Sequence, residues 1–219
     1  MKITIAYLYY DLLNLYGDSG NIKALEYHLK EQNIDVNIKY LSINDKKDFS
    51  KYDLVYIGSG TDKNLLLALD DILKYKKDLK DYIQSNKFIL STGNSIELFG
   101  KYIRIKSKVQ KSLGLFDYYI DYDDRIVKDT NYECEFINSN IIGFENHLGH
   151  LVSNEKKLFN DEGVLKNNFY GTYVIGPLLV RNPEFCKYFI RELLVNKKED
   201  IKINKGNYKL DELAYEANK

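Results

Sequence analysis

Residues 88–99 read FILSTGNSIELF, and this stretch decides the fold. Phe88 to Leu90 is an apolar run of buried-strand type. Thr92-Gly93-Asn94-Ser95 is a turn of small residues, and Ile96, Leu98 and Phe99 belong to a short helix. The same order stands upstream, where the apolar run Leu54 to Ile57 ends in Gly58-Ser59-Gly60 and Asp62 opens a long helical stretch through Leu66, Leu69, Ile72 and Leu79. Further back, Ile3 to Tyr9 is strand-like, Gly20 to Gln32 carries helical spacing in Ile22, Leu25, Tyr27 and Leu29, and Val36 to Ile43 alternates. Strand, glycine-rich turn and helix in repetition predict a parallel sheet with helices on both faces.

From about Leu115 to Tyr173 the pattern changes to short strand-like runs, among them Arg125 to Val127, Ile141 to Phe144 and Phe169 to Val174. Asn, Asp and Gly separate them, which predicts antiparallel structure at the edge of the parallel core. Pro183 opens a helix to Val195 with Phe185, Phe189, Ile190 and Leu193 on one face. The charged tail from Asn196 ends in a short helix near Asp211 to Ala217. No repeat or linker interrupts the chain, so residues 1–219 are expected to form a single domain.

Lys+Arg and Asp+Glu balance at 32 each, so no global field favours nucleic acid, an anionic membrane or an acidic substrate. The apolar start, Met1 to Tyr10, is too short for a membrane span and lacks a signal-peptide cleavage pattern. Cys134 and Cys186 are too few for a disulfide framework and fit a reduced, cytoplasmic compartment.

In an open α/β sheet, ligands sit beyond the carboxyl ends of the strands. Gly58-Ser59-Gly60-Thr61-Asp62 follows a strand and leads a helix, so it reads either as a tight turn or as a cradle of N–H groups for an anion. Ser91 to Ser95 has the spacing of a nucleophile elbow, but its central residue, Gly93, has no side chain with which to attack. Gly143 to His150 (GFENHLGH) gathers Glu145, Asn146, His147 and His150. That histidine spacing on an extended segment diverges and has no second ligand pair, so no metal site is expected. His28, beside Tyr27 in a helix, reads as a surface residue. Cys134 stands between Glu133 and Glu135, which raise a thiol pKa rather than activate it, and Cys186 reads as a core residue.

Several segments together resemble a known family, the amidotransferase subunits of lipid II isoglutaminyl synthase (GatD), which are themselves similar to the cobyric acid synthase amidotransferase domain. The resemblance runs through 11–21 (DLLNLYGDSGN), 57–62 (IGSGTD), Phe99 to Ile103, Leu113 to Tyr118, 143–149 (GFENHLG) and 171–179 (GTYVIGPLL). It implies a class I glutamine amidotransferase-like (flavodoxin-like) α/β fold with a mostly parallel sheet, helices on both faces and an antiparallel extension. Family members hydrolyse glutamine with a cysteine in an elbow like ICGGYQ and a histidine in a segment like GTYLHGPLL, and pass ammonia to a Mur-ligase-like synthetase, MurT. Here the cysteine slot falls on Gly93 and the histidine slot on Ile175.

The resemblance further implies an α-carboxylate-binding role for Arg125, the alternative being a surface arginine. It places Gly58, Gly60 and Asn94 in the ligand loops, with Gly60 in the oxyanion loop. Thr92, Ser91 and Ser95 are weak substitutes for a nucleophile, because a hydroxyl needs a base and Ile175 takes no proton. Loss of triad members costs hydrolases about four to six orders of magnitude in turnover. The expectation is therefore a catalytically silent GatD-like subunit, without cofactor or metal, that pairs with a MurT-like synthetase in cell-wall precursor amidation. The alternatives are an active amidotransferase with an unusual nucleophile and a sensor of glutamine or a related amino acid.

Overall fold

The computed structural model describes residues 1–197 and 206–219; that part of the charged-tail reading covering 198–205 lies outside them. The strands are β1 (Lys2–Leu8), β2 (Asp35–Leu41), β3 (Leu54–Ile57), β4 (Phe88–Thr92), β5 (Tyr102–Ile105), β6 (Lys108–Lys111), β7 (Tyr118–Tyr132), β8 (Ile141–Ser153), β9 (Val164–Lys166) and β10 (Phe169–Thr172). The main sheet has the order β2-β1-β3-β4-β10-β9 and is parallel except for the antiparallel pair β9 and β10. Every residue of β3 and β4 is buried, which is why both read as continuous apolar runs rather than alternating ones.

Alternation persists in where the side chains go. Val55, Ile57 and Ile89 enter one core, while Leu54, Tyr56, Phe88 and Leu90 enter the other. The first core is covered by α2 (Asp62–Ile72) and α3 (Lys76–Gln84), the second by α1 (Ser19–Glu31) and α5 (Pro183–Asn196). Between β10 and α5 lies a single turn, α4 (Leu178–Arg181), and the chain closes with α6 (Lys209–Glu216).

Three expectations are corrected. The long helix after Asp62 is two helices separated by a 3-10 turn at Leu73–Tyr75, and Leu66 points outward while Leu65, Ala68, Leu69 and Ile72 face the core. His28 is buried and Tyr27 exposed, because the core face of α1 runs through Ile22, Leu25 and His28 at three-residue steps. The run from Phe169 is antiparallel on one side only, where β10 pairs with β9. β10 returns to the main sheet and pairs in parallel with β4, Gly171 opposite Ser91.

The antiparallel structure lies in a second, mixed sheet of order β6-β5-β7-β8, in which β5 and β7 pair in parallel and which is dominated by the long antiparallel β7–β8 ribbon, whose register shifts between Tyr122 and Ile126. Its inner face packs on the main sheet's first core through Ile103, Phe116, Tyr118 and Ile120. The rings of Phe116 and Phe169 lie 4.4 Å apart across that junction.

Candidate functional site

At the carboxyl edge of the main sheet, β4 ends at Thr92 and the chain turns at Gly93, where φ is 65°, into a 3-10 turn over Gly93–Leu98. That left-handed conformation costs an L side chain roughly 1–2 kcal/mol. Ser95 pins the turn: its hydroxyl is 2.8 Å from the Ser91 hydroxyl and 3.0 Å from each of the Ile57 and Thr92 carbonyls, which share its single proton. The two slots of the resemblance face one another. A Cβ built on Gly93 would stand 2.9 Å from Cγ2 of Ile175 and would overlap the side chain of Ser59. Ile175 is 1% exposed and is fixed to β8 by a two-way backbone bridge with Phe144, at 2.9 and 3.3 Å.

The loop after β3 lies against this elbow. Glycine is required at Gly58, because any side chain there would collide with Asp18 and the Leu13 carbonyl. The Gly60 N–H donates to Oδ1 of Asn94 at 3.0 Å, Nδ2 of Asn94 donates to the Gly60 carbonyl at 2.9 Å, and the Ser59 hydroxyl donates to the same Oδ1 at 3.2 Å. Gly58, Gly60 and Gly93 are buried, and Ser59 and Asn94 are 2% and 5% exposed. A side chain at position 93 would meet Ser59 and Ile175 at once.

Beneath the loop, Asp18 is fully buried and accepts from the Thr92 hydroxyl at 3.1 Å, the Tyr56 hydroxyl at 3.3 Å and the Tyr16 N–H at 3.4 Å. Burial raises its pKa, and these bonds, with one from the Ser59 backbone, oppose the rise. Asn21 extends the network, donating to the Tyr56 hydroxyl at 2.7 Å and accepting from the Leu179 N–H at 2.7 Å.

On the other side of the elbow stands Glu97, fully buried, receiving the Tyr122 hydroxyl at 2.8 Å and the Tyr173 hydroxyl at 3.1 Å. Desolvation pushes its carboxyl up to about 8, against the pull of those hydroxyls. Glu162, which accepts from Thr172 at 2.5 Å and from the Tyr173 N–H at 2.6 Å, is likewise raised by burial to about 8. The His147 ring stacks on Tyr173 at 3.7 Å, with one ring nitrogen 2.7 Å from the Gly149 carbonyl and the other 3.2 Å from Glu145.

Arg125 lies elsewhere in character: it is exposed beside the β7 irregularity, and its guanidinium donates to Asn146 Oδ1 at 2.6 Å. His147 is buried while His150 faces the Asp124 carbonyl at 3.2 Å from the other side of β8. Among the described residues no group of three or more His, Cys, Asp and Glu side chains is placed to hold a metal ion. Cys134 and Cys186 are buried free thiols, raised by desolvation, Cys134 to about 11. Sequence reading took in Ser59 only as a member of the Gly58–Asp62 loop and missed Asp18 and Glu97 as parts of the site. Asp18 lay within the quoted 11–21 segment and Glu97 at the elbow's end, but which atoms they meet is a tertiary fact.

A mostly parallel sheet with an elbow and a glycine loop at its carboxyl edge, joined to a second, mostly antiparallel sheet, defines a class I glutamine amidotransferase-like domain. The chain belongs to the CobB/CobQ-like glutamine amidotransferase domain family, whose model matches residues 4–183. It is 30% identical over 215 residues to the lipid II isoglutaminyl synthase (glutamine-hydrolyzing) subunit GatD of Streptococcus pneumoniae, covering 90% of this chain and 82% of that one. To the Staphylococcus aureus GatD subunit it is 31% identical over 210 residues, covering 90% and 86%. A crystal structure of a glutamine amidotransferase superposes with a TM-score of 0.57 at 14% identity, over 86% of this chain and 98% of that one, which is agreement of fold. No helix among the described residues is long and apolar enough to cross a membrane.

Proposed function

We propose that this chain is a non-hydrolysing subunit of GatD type, which pairs with a Mur-ligase-like (MurT-like) synthetase as a structural or regulatory partner in cytoplasmic amidation of a cell-wall precursor. The observation that carries the reading is the facing pair Gly93 and Ile175. One slot offers no nucleophile and the other no base, and they adjoin closely enough that a side chain on Gly93 would touch Ile175. Glutamine hydrolysis needs an attacking group and a proton acceptor within reach of each other. Neither side chain is protic. The relatives are named as subunits of a synthase, which supports a partnered role for this chain.

The rival reading, hydrolysis through Thr92, has one contact in its favour, the hydrogen bond to Asp18. Against it, Thr92 is 1% exposed and its hydroxyl is also 2.9 Å from that of Tyr56, so no path to a substrate carbonyl is open. The test is ammonia release from glutamine by the purified chain, alone and with its co-expressed synthetase. Background rates are expected in both cases, and turnover like that of an ordinary amidotransferase defeats the proposal. Affinity purification of the tagged chain from its own cells is expected to recover an ATP-dependent ligase subunit in stoichiometric amount.

A further inference from the structure

The Gly60 peptide presents its N–H and its carbonyl oxygen to one partner, Asn94, which answers both at 3.0 and 2.9 Å. The chemistry of that pairing is narrow. The partner must carry an acceptor and an N–H donor on the same carbon, which a primary carboxamide does. A carboxylate or ester in this place would satisfy the N–H but set an oxygen against the Gly60 carbonyl, with no hydrogen between them. The same requirement fixes which way the Asn94 amide points, since the flipped orientation would oppose donor to donor and acceptor to acceptor. Ser59 adds a third bond to the carboxamide oxygen, and Asn94 itself is 5% exposed.

We propose that the Gly58–Gly60 loop is a receptor for a primary carboxamide and that Asn94 occupies it in cis, acting as a built-in competitor that keeps free amides out. The inference deepens the proposed function and rests on its reading of the elbow as a former substrate site. It differs from it in naming the device that closes the site: the missing nucleophile and base explain absent chemistry, whereas Asn94 explains absent binding. A ligand enters only in molecules whose Asn94 has swung away. Its apparent affinity is scaled down by that fraction, so an occupant in place in 90–99% of molecules weakens binding about 10- to 100-fold.

The experiment compares the full chain with Asn94→Gly by calorimetric titration and thermal shift, using acetamide, L-glutamine and L-glutamate as probes. The variant is expected to bind acetamide and glutamine about 10- to 100-fold more tightly than the native chain, and glutamate no better than before. Hydrogen exchange at the Gly60 amide is expected to be slow in the native chain and faster in Asn94→Ala. If Asn94→Gly does not fold, Asn94→Asp serves instead, because it keeps the shape while losing the N–H donor and repelling the Gly60 carbonyl. A folded variant with unchanged affinity for both amides overturns the inference, as does a gain that extends equally to glutamate. Ammonia release from glutamine by the native chain would count against the proposed function, so the two failures are told apart.

Discussion

A carboxyl group stripped of water keeps its proton far above the ordinary glutamate range, and Glu97 is raised by burial to about 8 from 4.5 although the Tyr122 and Tyr173 hydroxyls that donate to it pull the other way. Between those two values the native state binds more protons than the unfolded chain, so raising the pH removes stability. The loss is at most about 1.4 kcal/mol per pH unit for each such group and levels off above the folded value. Glu97→Gln is therefore expected to reduce the fall in stability between about pH 5 and 8, and Glu97→Gln with Glu162→Gln to flatten it further. Urea unfolding at stepped pH measures this, and a variant with the native slope would show that Glu97 ionises freely. At Gly93 the positive φ and the overlap with Ser59 together predict that Gly93→Cys costs about 2–4 kcal/mol, from left-handed strain and overpacking. Adding Ile175→His supplies a base, yet the double variant is expected to release no ammonia, because Asn94 still holds the Gly60 N–H. Recovery of turnover in a glutaminase assay would show that the loop opens on its own.

At the scale of elements, the strand-turn-helix units around Gly58–Gly60 and Gly93 were legible in sequence because each is a local pattern: an apolar run, small residues, then helical spacing. Positions 93 and 175 could be singled out for the same reason, since each sits inside a short contiguous motif. What the sequence hid was pairing at a distance. Nothing in Phe169 to Thr172 says that its neighbour is β4, and a run of that length fits an antiparallel hairpin equally well. The burial of His28 was hidden for a related reason, because its cover comes from the far end of the chain. The His28 ring stacks on Tyr208 at 3.9 Å, just before α6, and Asp211 on that helix lies 3.6 Å away. Burial lowers the His28 pKa, outweighing the nearby acids Asp211 and Glu31, and Lys187 adds to the lowering. A base with a depressed folded pKa gives stability that is complete above its unfolded value and is lost as the pH falls. The docking of α6 is thus expected to loosen on acidification, read as faster hydrogen exchange in Lys209–Glu216 at pH 5 than at pH 7.5 after correction for intrinsic rates. His28→Phe keeps the stack and should remove the effect.

Over the whole molecule the two sheets share one apolar core, in which Phe99, Phe116 and Phe169 meet at 4.4 and 4.8 Å. Two sheets with a common core should lose it together. Thermal unfolding followed by far-ultraviolet and tyrosine signals is expected to give coincident transitions, and Phe116→Ala to lower the stability by about 3–5 kcal/mol without separating them. Two resolved transitions would mean that the β7–β8 ribbon folds apart from the main sheet. The buried Asp18 network bears on something else, the freedom of this scaffold to change. Asp18, Asn21, Tyr56 and Thr92 bind one another and the Leu179 backbone, so the segments converging at the carboxyl edge are tied together one step aside from positions 93 and 175. On the proposed reading of positions 93 and 175, cohesion and chemistry belong to different residues. If that reading holds, substitutions at 93 and 175 leave this wiring untouched, and the carboxyl edge keeps its shape whatever stands at those two positions.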